Sequence, residues 1–443
     1  MNGLKRFLYS FLTLFKLIIY IGGFAVFFYL MGIENFQVHN ISRTSVVMVI
    51  TYVMLTYFLS LIYGGYDIGI RKKSMIILSM ELSMILTDAA TYIMLLIMNT
   101  NDTTNRVFRV SSFGYFVLSV IIQTVIIVFF ANLGDMLYSR AVPPEDALII
   151  IADDKEGEKL KSDLSAYRDK FNVKDVAIYN DEKIKERIRA VRAVIFYDVP
   201  PAEKNELINY CYKHLRNVYQ NPEISDIVTM TADQLMFGDM LFFSKKFNSM
   251  TFEQRVIKRL MDIVISLICL ILTSPLFLVA AIMIKSGDGG SIFFKQKRAT
   301  INGRVFEIYK FRTMKENVEN KSVTQNDDRI TGAGSFLRKY RIDELPQLIN
   351  IIKGDMSLVG PRPEMIENVN EYEKEMPEFV YRLRMKAGLT GLAQVMGRYN
   401  TSSRDKLILD LMYIENFSIM ADIRLLFKTV LVLFKAEDST KGF

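Results

Sequence analysis

Four apolar runs of bilayer-spanning length open this chain, and they constrain its fold more than any other feature. They extend from about Phe7 to Met31, Ser45 to Tyr63, Met75 to Met98 and Val110 to Leu133. At a rise of about 1.5 Å per residue, runs of this length are matched to a hydrocarbon core of roughly 30 Å. Lipid offers no partners to backbone N–H and C=O groups, so such segments must be helices, and four of them make a bundle. Composition agrees: 51% of the 443 residues are apolar and the mean hydropathy is +0.19, too high for a purely soluble enzyme of this size. The first run has no small-residue cleavage site and three more follow it, so it reads as retained. Lys5 and Arg6 precede it, and Arg71, Lys72 and Lys73 fill the loop after the second run, which places both in the cytoplasm by the positive-inside rule. Glu81 and Asp88, seven residues apart, share one face of the third span. An exposed charge in lipid is costly, and the pair reads as packing or a subunit contact.

From Ala147 the pattern changes to short apolar strands, ALIIIA, VAIY, AVIFY and NVYQ, separated by charged helical stretches. This alternation predicts a Rossmann-like parallel α/β domain over 145–245. Its first strand turn, Asp153-Asp154-Lys155-Glu156-Gly157, lacks the glycine fingerprint, and its carboxylates would repel a pyrophosphate. A scaffolding or regulatory role is expected there, not dinucleotide binding.

A fifth run, Ile263 to Ile284, carries no charge and is also long enough to cross. Yet Lys258 and Arg259 stand before it, and Lys285, Lys295, Lys297 and Arg298 after it, so both ends belong in the cytoplasm. Ser274-Pro275 lies near its middle, where the proline removes a backbone bond and the serine can satisfy the freed carbonyl. These observations predict a re-entrant helix hairpin over 260–286.

Farther on, IFFKQKRATINGRVFEIYKFRTM alternates apolar and basic residues and ends in a strand that carries Lys310 and Arg312. After a polar linker reaching Asp328 comes RKYRIDELPQLINIIKGDMSLVGPRPE, from Arg338 to Glu364. Leu345, Leu348, Ile349 and Ile352 have the spacing of one apolar helix face, with Asp343, Gln347 and Asn350 opposite. Pro346 is tolerated only near a helix start, which puts Asp343 and Glu344 in the first turn with Arg338, Lys339 and Arg341 just before it. Acids in a first turn ordinarily just complement the dipole. Here they are followed by Gly360-Pro361-Arg362-Pro363-Glu364, a stiff turn around one arginine, and acids and bases converge as a reaction centre would require. Beyond, RLRMKAGLTGLAQVMGR supplies Arg382, Arg384, Lys386 and Arg398 around Gly388, Gly391 and Gly397, glycines that admit close backbone approach to a ligand or simply make turns.

A net charge of +7 with a pI near 9.0 suits an anionic partner, phosphate-bearing ligands or lipid headgroups, and no nucleic-acid motif is present. Cys211 and Cys269 are the only cysteines and His39 and His214 the only histidines, which excludes a disulfide framework and a cysteine- or histidine-rich metal centre.

Several motifs occur in an order that is specific although each is weak alone. They are Lys258-Arg259 with Asp262, Ser274-Pro275, Phe294-Lys295-Gln296 with Arg298, KFRTM, and Asp328-Arg329-Ile330-Thr331. Arg338, Asp343-Glu344-Leu345-Pro346-Gln347-Leu348, Gly354-Asp355-Met356-Ser357, Gly360-Pro361-Arg362-Pro363 and Gly388-Leu389-Thr390-Gly391 follow. From Lys258 to about Thr429 the chain resembles the bacterial sugar transferases, the monotopic polyprenyl-phosphate phosphoglycosyl transferases, in their long form with four N-terminal spans. Two departures stand out: Ala387 where many relatives have proline, and Ala393 in place of a common tryptophan. They weaken any transfer of sugar preference.

The resemblance implies a membrane protein with a four-helix domain at 1–140, the α/β domain at 145–245 and a mostly helical catalytic domain at 252–443. It implies that Asp343 attacks the sugar-bearing phosphorus of a nucleoside-diphosphate sugar, with uridine the expected nucleoside, and that polyprenyl phosphate, expected to be undecaprenyl phosphate, then takes up the phosphosugar. Glu344 would hold Mg²⁺, the expected cofactor. Arg338, Lys310, Arg312, Arg341, Arg362 and Lys295 are the expected phosphate- or nucleotide-binding residues. The bacterial plasma membrane, a cytoplasmic catalytic face, exopolysaccharide, capsule or other glycoconjugate synthesis and a homodimer are further expectations. Two competing readings are a non-catalytic membrane scaffold for polysaccharide assembly and a glycosyl transferase that moves sugar without its phosphate.

Overall fold

The structure, a computed structural model, describes residues 2–69, 71, 73–99, 110–165, 170–247, 250–315, 329–397 and 402–434. Lys72, Asp328 and Arg398, named above, lie outside the described residues. The chain divides into two compact units, Met1–Asn221 and Pro222–Phe443.

In the first unit, α1 (Asn2–Glu34), α3 (Arg43–Tyr63), α4 (Lys73–Asn99) and α5 (Phe113–Ala141) are the expected long helices, with a single turn of helix, α2 (Phe36–His39), after the first. Each contains a segment long and apolar enough to cross a membrane. The start of α3 is fixed by a reciprocal cap, Ser45 N to Ser42 Oγ at 3.0 Å and Ser42 N to Ser45 Oγ at 2.9 Å. Two apolar clusters hold the helices together, one around Phe15, Ile19, Met80, Met84 and Ile127, the other around Phe27, Met31, Met48, Tyr52 and Leu95. Residues such as Leu17, Val53, Ile93 and Val125 face outward. Asp88 is fully buried in the bundle and accepts a hydrogen bond from Ser119 Oγ at 3.3 Å, while Glu81 is half-buried. The acid on α4 therefore tethers α5.

Next come β1 (Glu145–Ile151), α6 (Asp154–Ser165), β2 (Phe171–Ile178), α7 (Ile184–Ala190), β3 (Ala193–Tyr197), α8 (Pro201–Lys213) and β4 (Asn217–Gln220). The strands form a parallel sheet in the order β2-β1-β3-β4. An unbroken apolar strand is what a parallel sheet covered on both faces demands. Accordingly Ala147, Ile149 and Ile151 point into one cluster and Leu148 and Ile150 into another. A Cβ on Gly157 would lie 2.5 Å from Ile151 Cδ1, so that glycine serves helix-on-sheet packing.

The second unit begins with α9 (Ile224–Met230) and the antiparallel hairpin β5 (Asp233–Phe237) and β6 (Met240–Ser244), which the sequence grouped with the α/β alternation. Ile227 packs with Phe379, Leu407 and Leu411 of this unit. Its backbone is α10 (Phe252–Asp288), a single helix of 37 residues, started by Thr251 with Gln254 as a capping box and ended at Gly289 with φ of 72°. Pro275 sits inside it, and Ser274 Oγ donates to Ile271 O at 2.8 Å, the carbonyl that the missing proline N–H would have bonded. The helix assignment thus continues through Pro275. Its one side packs on the unit's core through Ile265, Cys269, Ala280 and Ile284, and its other side exposes Leu260, Val264, Leu267, Ile271, Leu272, Leu278 and Ile282.

Against α10 lie the antiparallel hairpin β7 (Phe293–Ala299) and β8 (Val305–Phe311), then α11 (Gly332–Lys339), α12 (Gln347–Lys353) and β9 (Ser357–Val359). The unit continues with α13 (Ile366–Glu375), β10 (Gly388–Thr390), α14 (Leu392–Met396), α15 (Ser403–Glu415) and α16 (Ile419–Phe434). β9 and β10 pair in parallel. The Lys-Arg-x-x-Asp spacing on α10 is a fastening. Arg259 donates to Ile351 O and Ile352 O, at 2.6 and 2.7 Å, closing the end of α12. Asp262 accepts from Ser357 Oγ at 3.1 Å and Leu358 N at 2.9 Å, and Lys258 donates to Val359 O at 3.0 Å and to Asp422. One turn and a half of helix thereby sets the position of β9.

Candidate active site

Asp343 and Glu344 occupy a 3₁₀ turn, Ile342–Glu344, and the α-helix starts only at Gln347. Proline explains the difference from the expected first helical turn: Pro346 has no N–H for Ile342 O, and Leu345 N takes that carbonyl at 3.1 Å in the tighter pattern. Arg341 turns the chain into the dyad with φ of 53°, a left-handed conformation costing a non-glycine residue about 1 kcal/mol. The polar side of α12 is not solvated either. Asn350 is fully buried, accepting from Tyr309 N at 2.9 Å and donating to Glu307 O at 2.7 Å, and so clips the helix to β8.

Cations reach the two carboxylates unequally. Lys310 Nζ lies 3.3 Å and Arg362 Nη2 3.2 Å from the same oxygen, Glu344 Oε1. Burial pushes the Glu344 carboxyl up, but Lys310 and Arg362 outweigh it and hold it down at about 2. Asp343 makes no ion pair among the described residues. Burial, with the adjacent Glu344 charge, pushes it up to about 6, against the pull of Lys310, Arg338 and Arg362. Burial also lowers Lys310, while Glu344 raises Arg362.

Arg338 donates through Nε to Thr313 Oγ1 at 2.8 Å, which holds α11 against the end of β8, and Arg341 is exposed beside the dyad. Arg312 is buried, with 7% of its surface exposed. Lys295 stands off this group: it lies 3.6 Å from Glu307 and over the Tyr309 ring, both more than half or partly open to solvent.

The turn that carries Arg362 is gripped by its carbonyls. Val359 O accepts from Lys258 Nζ and Tyr413 Oη, Pro361 O from Gly388 N at 2.8 Å, Arg362 O from Arg382 Nη2 at 2.9 Å and Pro363 O from Arg298 Nη1 at 3.2 Å. A Cβ on Gly360 would lie 2.2 Å from Lys386 O, one on Gly388 2.1 Å from Gly360 N and one on Gly391 2.2 Å from Gly360 O. These glycines therefore let two stretches of backbone touch each other, not a ligand. Ala387 uses the N–H that a proline would lack, donating to Thr300 Oγ1 at 3.1 Å. Sequence reasoning gave no site role to Arg298 or Arg382. Arg298 is pushed down to about 10 by burial and by Arg362 nearby. A cavity of about 430 Å³ lined by Asn302, Ile366, Glu373, Tyr381 and Arg384 does not include the dyad.

This fold and site can be compared with known proteins. Residues 253–436 match the family model described as bacterial sugar transferase. The exopolysaccharide production protein ExoY of Sinorhizobium fredii is 42% identical over 191 residues, covering 39% of this chain and 83% of that one. The chain belongs to the bacterial sugar transferase family. The UDP-N-acetylgalactosamine-undecaprenyl-phosphate N-acetylgalactosaminephosphotransferase of Aeromonas hydrophila is 43% identical over 180 residues, 39% of this chain and 43% of that protein. The UDP-glucose:undecaprenyl-phosphate glucose-1-phosphate transferase of Escherichia coli is 39% identical over 184 residues, 40% of each chain. These last two matches span less than half of the relatives' length. The sugar transferase match falls entirely on the second unit, where the dyad lies.

Proposed function

We propose that this sugar transferase moves a sugar 1-phosphate from a UDP-sugar to a polyprenyl phosphate, undecaprenyl phosphate by analogy with the named relatives, and releases UMP. An Asp343 carboxylate oxygen attacks the sugar-bearing phosphorus, and the bond from that phosphorus to the bridging oxygen breaks with UMP leaving. A phosphate oxygen of the lipid then attacks the resulting acyl phosphate, returning the carboxylate and forming the lipid diphosphosugar. The observation that carries this reading is the division of labour in the dyad: Lys310 and Arg362 contact Glu344, while the half-buried Asp343 makes no ion pair among the described residues and its carboxylate is open to attack phosphorus.

Two carboxylates together with substrate phosphates are the donor set that Mg²⁺ accepts, because it keeps several waters of its own. Among the described residues no cluster of three acidic, histidine or cysteine ligands exists that would suit a more demanding metal. Glu344 would hold the ion, which when bound supplies positive charge to the diphosphate. Lys310, Arg362, Arg338 and Arg341 supply more, overcoming the repulsion between carboxylate and diphosphate.

In this reading α10 is re-entrant. The support is that both its halves pack on the same compact unit and that basic residues flank both ends. Its exposed apolar side would lie in the cytoplasmic leaflet of the plasma membrane, where the lipid phosphate and the soluble donor meet, at the initiating membrane step of exopolysaccharide, capsule or other glycoconjugate synthesis. The test is a panel of UDP-sugars given to the protein in detergent with Mg²⁺ and undecaprenyl phosphate. UMP from one donor, lost in Asp343→Asn with an unchanged melting curve, is expected; UDP, or undiminished UMP release by the variant, would overturn the assignment.

A further inference from the structure

We propose that Arg382, locked by Asp410, is a positioning residue that fixes the direction in which Arg362 is offered to Glu344; the proposal rests on the transferase reading above. The Arg362 side chain is 42% exposed and its anchor is a Glu344 oxygen shared with Lys310. Its aim must therefore come from its backbone. That backbone lies between two prolines, whose rings remove both N–H groups and fix φ, so it is held chiefly by carbonyls.

Arg382 supplies the grip at Arg362 itself. It comes from the 3₁₀ segment Pro377–Arg384 and is 2% exposed. Its Nε and Nη2 donate to Asp410 Oδ2 on α15, at 2.9 and 2.6 Å, and Nη2 also reaches Arg362 O at 2.9 Å. Nη1 is 3.7 Å from Glu364, and the guanidinium lies 4.9 Å from the Phe379 ring centroid. A buried ion pair adds little net stability over apolar side chains of the same size. Stability alone thus gives little reason for a charged group here, whereas a planar fork that ties α15 to one chosen carbonyl does. Lysine has no Nε–H, so it loses the second bond to Asp410 and with it the plane that holds Nη2 toward Arg362 O. Arg384, two residues on, is 45% exposed and pairs with Glu415 outside this network.

The test is a double-mutant cycle on UMP release, with Arg382→Lys and Arg362→Ala. If Arg382 acts through Arg362, Arg382→Lys alone lowers kcat/KM about tenfold, and adding it to Arg362→Ala changes nothing further. A purely structural residue gives losses that multiply in the double variant, and that result overturns the proposal. Asp410→Asn, which preserves shape, must show the same non-additivity if Arg382→Lys is poorly folded. Hydrogen exchange supplies a readout that needs no turnover. The Gly360 and Gly388 amides, bonded to Thr390 O and Pro361 O, should exchange about tenfold faster in Arg382→Lys while α12 is unchanged. Unaltered exchange overturns the hold on the turn. Wild-type protein that releases no UMP from any donor overturns the transferase reading instead, and exchange then decides the hold by itself.

Discussion

Replacing Lys258 by methionine tests whether α10 is fastened to the catalytic unit by charge. Lys258 Nζ lies 2.5 Å from Asp422 Oδ2, with side-chain exposures of 6% and 0%, and it also serves Val359 O at 3.0 Å. Methionine fills the same space but removes both donations. Tyr413 Oη stands 2.7 Å from Asp422 Oδ1 and 3.2 Å from Val359 O, yet it has one proton and cannot satisfy both. The variant leaves a buried carboxylate without its cation, a loss of about 3–5 kcal/mol. For a unit of this size each kcal/mol lowers Tm by about 2–4 °C, so the fall should be about 6–20 °C. Adding Asp422→Leu removes the orphaned charge, and the double variant should recover a large part of that loss. The assay is thermal unfolding in detergent, for the two single variants and the double. A Lys258→Met loss under about 1 kcal/mol, the level of an exposed pair, or losses that simply add in the double, would refute the reasoning.

Three further outcomes are expected. In the proposed mechanism the attacking carboxylate must be ionised, and Asp343 is pushed up to about 6, so its protonated form gains below that pH; a single-turnover rate of UMP release should drop about tenfold between pH 7 and pH 5, and a flat profile would contradict the burial argument. Gly334→Ala would set a Cβ 2.0 Å from the Thr313 carbonyl oxygen and displace the residue that orients Arg338; an overpacking loss of about 1–3 kcal/mol in thermal unfolding, with UMP release reduced to the level of Arg338→Ala, is expected, and wild-type behaviour would show that α11 can shift freely. For re-entry of α10, cysteines placed singly at Thr251 and Gly289, in a background without Cys211 and Cys269, should label from the same side of inverted vesicles; labelling from opposite sides would make α10 a fifth span.

Legibility from sequence depended on how local each determinant is. The membrane helices and the parallel sheet were readable because their signals are long: an apolar run over twenty residues, or a strand such as Ala147–Ile151 apolar on both faces. The dyad was readable as a place but not as a shape. Pro346 limits the helix, as its position in the sequence implies, and its effect on the preceding carbonyl, which tightens Ile342–Glu344 into a 3₁₀ turn, is a hydrogen-bond consequence that periodicity does not report. The supporting arginines were not readable at all. Arg382 and Arg384 look alike in RLRMK, yet one is 2% and the other 45% exposed, and the cause is Asp410, twenty-eight positions away.

The same contrast explains how a mobile, charged chemistry can be mounted on an apolar helix. α10 shows one face of bare aliphatic side chains, and its first turns carry Lys258, Arg259 and Asp262, which fix β9 and the end of α12. The dyad precedes α12 and the Arg362 turn follows β9, so the two groups that meet at Glu344 Oε1 are both referenced to the same stretch of α10. A helix that only anchored the protein would need apolar surface and nothing more. In the proposed reading, placing the fastening charges on its first turns makes the depth of α10 in the bilayer and the geometry of the reaction centre a single mechanical quantity, which suits a reaction whose proposed acceptor is confined to the membrane surface.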